Sequence, residues 1–235
     1  METNKPQHVI LNGSVAKQVT NIVTQQIIDG KFAIGDYLPT EEDLCKEFGI
    51  GRSSVREAIK TLESRGLVRK KQGKGVVVID ETIEATSEMF KITLDYKHIS
   101  LHDMIDFRES MEVKLAELAA LKATDEQIAQ IKETLDSMRK NIGSYEEFAQ
   151  LDYLFHEQIA EASGNSVSML IMKSLRPLLH KQISHTIQPD FNPQQVINIH
   201  EVIYNAIAAH QPIAAARAMA EHLKETHRVV KELES

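Results

Sequence analysis

Four side chains in the second half of the chain have the types and spacing of metal ligands. Asp152 and His156 are four residues apart, so on a helix they share one face and can hold a single cation. His200 and His222 lie on two further predicted helices. One carboxylate and three imidazoles suit a borderline divalent ion such as Zn²⁺, Ni²⁺, Co²⁺, Fe²⁺ or Mn²⁺, and this donor set does not choose among them. An interior ion would leave open positions for a ligand's oxygens.

The alternative interpretation is that these histidines are merely scattered. The chain has 10 histidines, and His98 and His102 also stand four apart, although they straddle a predicted helix start and are expected at the surface. Four more have no acid at helical spacing on the same side: His180, His185, His210 and His227. Spacing alone therefore does not decide between a metal site and scattered histidines.

A second stretch, residues 52–66, has the pattern of a DNA-recognition helix. Its apolar residues recur at i, i+3, i+4 and i+7, which predicts one buried face: Val55, Ala58, Ile59 and Leu62. Cationic and hydroxyl side chains crowd toward the N-terminal end of the other face: Arg52, Ser53, Ser54, Arg56 and Lys60. Arginine can reach guanine O6 and N7, and serine hydroxyls and helix N-terminal N–H groups can bind phosphates. An ordinary amphipathic surface helix is the alternative.

The elements that must position this helix favour DNA binding. A helix is predicted over 14–30, a short helix capped by Thr40 follows, and a glycine turn at 49–51 leads into the helix at Arg52. This is helix-turn-helix order.

A basic hairpin is predicted directly after it. Two β-branched runs flank a turn whose side chains Lys71, Gln72 and Lys74 can follow a DNA backbone or enter a minor groove. Gly73 and Gly75 let the main chain approach closely. The hairpin is therefore predicted to be the wing of a winged helix.

The charge distribution agrees with a local DNA-binding surface. A net charge of −7 argues against indiscriminate nucleic-acid binding. Residues 1–80 carry 12 Lys and Arg against 10 Asp and Glu, whereas residues 81–235 carry 15 against 24. Residues 65–74 contain basic side chains and no acidic one, so the positive charge is concentrated at the predicted wing.

Length and composition predict a cytoplasmic protein of one large or two ordinary domains. The chain has no run of about 18 apolar residues and no signal-peptide core, so we expect no membrane segment. Its single cysteine, Cys45, excludes an internal disulfide framework and a multi-cysteine zinc site.

Spaced motifs over residues 10–79 closely resemble the DNA-binding domain of GntR-family transcriptional regulators. The motifs are LPTEEDL at 38–44, FGIGRSSVREAI at 48–59, LESRGLV at 62–68 and GKGVVV at 73–78. The resemblance implies operator contacts by Arg52, Ser53, Ser54 and Arg56, together with the wing around Gln72 and Gly73. Glu42 stands where many members of the family have arginine, so we leave it out of the DNA site.

The remaining chain is predicted to be helical. Residues 80–88 are polar and acidic, which favours a linker, and residues 89–235 show only helical patterns, which favour an all-α bundle of six or seven helices. The predicted fold is therefore mainly α: a winged helix-turn-helix with a small β-hairpin wing over residues 1–79, then the linker, then the bundle.

Motifs of the bundle resemble the FCD effector domain of the FadR subfamily. They are FRESMEVKLAELAA at 107–120, DYLFHEQIAEASGN at 152–165, HEVIYNAIAAH at 200–210 and AAARAMAEHL at 214–223. The resemblance implies that the metal ligands are Asp152, His156, His200 and His222. It also implies that Arg108 faces the effector, often with Asn165. An intrahelical pair with Glu112 is the alternative role for the arginine.

These features predict a homodimeric transcriptional repressor that binds a palindromic double-stranded operator and senses a small organic carboxylate. A metal with open sites and a guanidinium together hold a carboxylate well. One alternative is a metalloenzyme fused to a DNA-binding module, although no general base or nucleophile is evident beyond the ligand set. Another is a fatty-acyl-CoA sensor of the same subfamily, which needs a long apolar pocket rather than a metal.

Overall fold

The computed structural model describes residues 14–179 and 192–233, and the chain divides into two compact units between Thr86 and Ser87. Within these ranges, no helix has both the length and the apolar character needed to cross a membrane.

The N-terminal unit is a winged helix-turn-helix, as predicted. Its elements are α1 (Val15–Ile28), α2 (Glu41–Phe48), α3 (Arg52–Ser64), β1 (Val68–Lys71) and β2 (Gly75–Val78). The hydroxyl of Ser14 caps α1, and that of Thr40 caps α2 by accepting from the Asp43 N–H. Gly49 ends α2 in the left-handed conformation, which lets the chain turn sharply into α3.

The predicted apolar face of α3 forms the centre of this unit's core. Its buried residues are Val55, Ala58, Ile59 and Leu62. They pack in one cluster with residues of α1 and the hairpin, including Val19, Val23 and Val78. Burial of this face leaves the opposite side of α3 directed toward solvent.

The wing is an antiparallel hairpin in which Val68 pairs with Val78 and Lys71 pairs with Gly75. The sequence predicts a plain turn over residues 35–39, but Tyr37 forms a β-bridge with Val77, and the Leu38 N–H donates to the Val76 carbonyl at 2.8 Å. This extra pairing gives hydrogen-bond partners to backbone groups on the outer edge of β2. It also connects the base of the wing to the loop before α2.

Gly66 follows α3 at a position where a side chain does not fit. It has φ +72°, and a Cβ placed there would lie 2.2 Å from the Glu81 carbonyl oxygen. We expect Gly66→Ala to destabilise the unit by more than the roughly 1–2 kcal/mol that a left-handed alanine costs by itself. Urea unfolding measures this loss.

Gly49→Ala is the matched control, because Gly49 has φ +65° but no atom within 4 Å of the position that a Cβ would take. A loss for Gly66→Ala no larger than the loss for Gly49→Ala would contradict the close packing at Glu81.

The C-terminal unit is all-helical, which confirms the predicted bundle. Its described helices are α4 (Thr82–Tyr96, which begins before the unit boundary), α5 (Leu101–Lys122), α6 (Asp125–Lys140), α7 (Tyr145–Ala162), α8 (Ser166–Ser174), α9 (Pro193–Ala208) and α10 (Pro212–Leu233). Residues 176–179 are also helical. The prolines at 189 and 193 predict a break between helices; Pro189 lies outside the described residues, and Pro193 begins α9.

The boundary between the two units falls within the predicted linker over residues 80–88, but most of this segment is helical, because α4 already begins at Thr82. The Asp80 carboxylate accepts from the Thr82 hydroxyl at 2.8 Å, and Glu84 lies in the first turn. Acidic side chains interact favourably with a helix N-terminus. The polar and acidic residues that favoured a linker therefore form the start of helix α4.

Helix α5 is central to the second unit, where it packs against α7, α9 and α10. A capping box joins Ser100 and Asp103 at its start. The core between these helices contains large apolar side chains such as Phe148, Phe155 and Leu223. Buried charged and imidazole groups lie within the same unit, which is unusual for a hydrophobic core.

Candidate DNA-binding surface and metal centre

The N-terminal end of α3 exposes the predicted DNA-contacting side chains. Arg52, Ser53 and Arg56 are exposed and Ser54 is half-buried. The N-cap, Gly51, has no side chain to bond the first N–H groups of the helix. Uncapped N–H groups and adjacent arginines suit a DNA phosphate and the edges of bases.

Arg56 is held by an acidic residue that sequence reasoning did not assign to this surface. Its Nε donates to Glu41 Oε2 at 2.8 Å, and Lys70 Nζ of β1 lies 3.4 Å from Glu41 Oε1. The hydrogen bond from Arg56 lowers the pKa of Glu41, so this carboxylate is ionised at neutral pH. Glu41 therefore connects α2, α3 and the wing, whereas Glu42 pairs with Lys46 of its own helix at 2.9 Å.

The tip of the wing presents the predicted basic turn. Lys71, Gln72, Gly73 and Lys74 are all exposed. The Lys74 N–H donates to the Lys71 carbonyl at 3.0 Å, and Gly73 takes φ +71°, which a tight turn requires. Neither lysine has an acidic partner in the described part of the chain, so both charges are available to a phosphate backbone.

The C-terminal unit brings the four predicted metal ligands together. His156 Nε2 lies 3.2 Å from His222 Nε2. Asp152 Oδ1 lies 3.5 Å from His200 Nε2, and Asp152 Oδ2 lies 4.0 Å from His156 Nε2. The nitrogens that the three histidines offer all lie within 4.8 Å of one another. Helix α7 supplies the aspartate and the first histidine, α9 supplies His200 and α10 supplies His222.

The chemistry of this cluster fits a divalent transition metal. Two nitrogens that bind one ion at about 2.0–2.1 Å lie roughly 3–3.5 Å apart, close to the observed separation of His156 and His222. His200 is fully buried, and neither of its ring nitrogens has a hydrogen-bond partner among the described residues. An unsatisfied buried imidazole is costly, and a metal ion would satisfy it.

Burial also sets the protonation of the donors. It lowers the pKa of His200 and His222 well below the ordinary histidine value, and the neighbouring His156 acts in the same direction. Both rings are therefore neutral at physiological pH and keep a lone pair for a metal. Burial raises the pKa of the Asp152 carboxyl, and the charge of a bound cation would oppose that shift.

Comparisons with known proteins match both units. The model for gntR-family bacterial regulatory proteins matches residues 15–78, and the FCD domain model matches residues 103–225. The Glc operon transcriptional activator of Escherichia coli K12 is 30% identical over 231 residues, which cover 94% of this chain and 90% of that protein.

The chain belongs to the GntR family, with an FCD domain.

Another relative is the galactonate operon transcriptional repressor of Escherichia coli K12, 27% identical over 89% of this chain and 93% of that protein. Among solved structures, Streptococcus agalactiae GntR superposes with a TM-score of 0.75 at 24% identity, covering 91% of this chain and 99% of that chain. This structural likeness supports the fold.

Arg108 of this GntR-family chain makes the intrahelical pair that was its alternative role. Its Nε donates to Glu112 Oε1 at 2.6 Å, and both side chains are only 2% exposed. Burial alone would raise the pKa of Glu112, but the charge of Arg108 and its hydrogen bond lower it. Sequence reasoning considered Glu112 only as an alternative partner for Arg108 and did not place it beside the histidine cluster, where its Oε2 lies 2.5 Å from His156 Nδ1.

Asn165 has a structural role and is exposed, outside the buried histidine cluster. Its side-chain oxygen accepts from the Ser168 N–H at 3.1 Å and caps α8. Its predicted effector contact stays a prediction.

The other histidines lie away from this cluster or outside the described residues. His98 is exposed, and the ring of His102 lies 4.8 Å from that of His227. His227 has an acidic neighbour that sequence spacing did not reveal, since Asp106 of α5 lies 3.6 Å from its Nε2. His210 bonds the Ala120 carbonyl through Nδ1 at 2.9 Å. His180 and His185 fall outside the described residues.

Proposed function

We propose that this GntR-family regulator is a FadR-subfamily repressor that senses a small organic carboxylate through a divalent metal. Asp152, His156, His200 and His222 would hold the ion. The observation that carries the proposal is the buried histidine cluster, in which His200 has no hydrogen-bond partner among the described residues. A bound ion would supply a Lewis-acidic centre with open positions for carboxylate oxygens.

Arg108 supplies the second part of the proposed effector site. Its guanidinium is buried in the same unit and acts electrostatically on Asp152, which places a fixed positive charge near the metal centre. A guanidinium and a metal can divide the two oxygens of a carboxylate between them. Support for this ligand class comes from the relative named as a repressor of a galactonate operon, since galactonate is a sugar carboxylate.

Repression from a palindromic operator is the proposed mode of action. One of the two relatives is named an activator and the other a repressor, and both are named transcriptional regulators, which favours regulation over the fused metalloenzyme. A homodimer would place two α3 helices on two half-sites related by two-fold symmetry. Effector binding would then change operator affinity by no more than the difference in effector affinity between the two arrangements of the dimer.

Metal analysis with native mass spectrometry of the full chain tests the proposal. We expect about one divalent ion per chain and a dimeric mass. Operator binding is then measured with a chelator, with Zn²⁺ alone, and with Zn²⁺ plus a panel of sugar acids and hydroxy acids. An ion-free protein after metal-supplemented purification, whose operator affinity no acid changes, would contradict the proposal.

Lys71→Ala and Lys74→Ala are each expected to weaken DNA binding about equally on specific and unrelated sequences. A lysine at the wing tip contacts the phosphate backbone, so its loss reduces the slope of log K against log salt by up to about one unit. Titrations at several salt concentrations measure the slope.

Lys31→Ala is the control, because Lys31 Nζ already lies 4.0 Å from a carboxylate oxygen of Glu47. A wing variant that changes sequence preference at an unchanged salt slope would show that the wing reads bases instead.

A further inference from the structure

We propose that Glu112 is a positioning residue of the metal centre that links His156 to Arg108. Its two carboxylate oxygens face different partners. Oε1 accepts from Arg108 Nε at 2.6 Å, and Oε2 lies 2.5 Å from His156 Nδ1. All three side chains are buried. This inference rests on the metal site proposed above.

The contact with His156 determines which ring nitrogen is free. Neither His156 Nδ1 nor Glu112 Oε2 has another hydrogen-bond partner among the described residues, although both atoms are buried. A proton on Nδ1 that Oε2 accepts is therefore the arrangement that satisfies both atoms. It leaves the lone pair on Nε2, the nitrogen that lies 3.2 Å from His222 Nε2 and 4.0 Å from Asp152 Oδ2.

Carboxylates in this position are known to orient metal-binding histidines. A carboxylate that accepts the second N–H of a ligating histidine fixes its tautomer and ring orientation and raises its basicity. Arg108 keeps this carboxylate in place, because an arginine at i−4 on the same helix holds its other oxygen. Glu112 is thus the shared partner of His156 and the proposed effector-binding Arg108. An effector that moves Arg108 therefore also changes the carboxylate that orients His156.

Glu112→Gln tests the assignment with little change in shape. An amide has one acceptor oxygen and one donor group, so glutamine cannot accept from both Arg108 and His156. We expect Zn²⁺ affinity, measured by competition with a chromophoric chelator, to fall by about 10- to 100-fold. Glu117→Gln is the matched control, because Glu117 is on the same helix but pairs with Lys114 at the surface. Its Zn²⁺ affinity should equal that of wild type.

Two further measurements separate positioning from a purely structural role. If Glu112 has only a structural role, its replacement lowers the melting temperature equally with Zn²⁺ and with chelator. If Glu112 positions His156, its replacement reduces the difference between the melting temperatures with Zn²⁺ and with chelator. In the metal-free protein, ¹⁵N shifts of the His156 ring should report an Nδ1–H tautomer in wild type and its loss in Glu112→Gln. Glu112→Asp keeps the charge that Arg108 needs but shortens the reach, and serves if the glutamine variant does not fold.

The outcomes distinguish this inference from the function on which it rests. If wild type binds Zn²⁺ and Glu112→Gln or Glu112→Asp binds it equally well, the role of Glu112 is overturned and the metal site stands. If wild type does not bind Zn²⁺, the proposed metal site is wrong and the inference falls with it.

Discussion

Replacing His200 or His222 with alanine is expected to remove metal binding and most of the metal-dependent stability together. Each substitution deletes one of four donors from a cluster that joins three helices. An ion at about 100–1,000 times its Kd that binds only the folded state adds about 3–4 kcal/mol to the free energy of unfolding. For a unit of this size, that corresponds to a melting-temperature difference of roughly 5–15 °C between metal and chelator.

The informative quantity is this difference, because each alanine also leaves a cavity in a buried site. Cavity formation lowers the melting temperature with and without metal, whereas loss of a ligand removes the difference. His227→Ala is a matched control, since His227 is on the same helix as His222 but is partly exposed and pairs with Asp106. It should retain the metal, measured by elemental analysis, and the full difference.

The same histidine variants should no longer change operator affinity when metal and carboxylate are added. If His200→Ala and His222→Ala keep a stoichiometric ion and melt with the wild-type difference, the histidines pack together for another reason.

Arg52→Ala and Arg56→Ala are expected to abolish specific operator binding while the fold remains intact. Both side chains are exposed on α3, so their loss creates no cavity. A good bidentate contact of arginine with guanine contributes roughly 1–3 kcal/mol of discrimination, which is about 5- to 150-fold in affinity per half-site. Footprinting on the native promoter, together with circular dichroism of each variant, measures the effect.

Arg65→Ala is the control for the loss of positive charge, because Arg65 is exposed at the other end of α3. It should preserve sequence preference. Glu41→Gln adds a further test, since Glu41 holds Arg56 at 2.8 Å and Lys70 at 3.4 Å, and its loss should weaken binding through these two side chains. Unchanged protection by Arg52→Ala and Arg56→Ala would mean that α3 is not the recognition helix.

Local sequence patterns were sufficient to predict the elements of both units. The buried face of α3, the cap at Thr40 and the hairpin after Gly66 all follow from residues that are near one another in the chain. Such features depend on helical periodicity, capping and turn chemistry, which act over a few residues. Local patterns did not reveal that residues 82–88 are helical, because acidic residues at 80–84 suit both a linker and a helix start.

The sequence by itself determined which residues could bind a metal, but only the tertiary structure decided that they meet. Asp152 and His156 share a helix face by spacing alone, whereas the approach of His222 to His156 depends on how α7 and α10 each pack against α5. The positions of Glu112 and Glu41 also depend on tertiary packing. Glu112 contacts His156 and Glu41 contacts Arg56, and each partner lies on another helix. Periodicity fixes the direction of a side chain around its own helix, but its distance from another helix depends on the packing of the whole core.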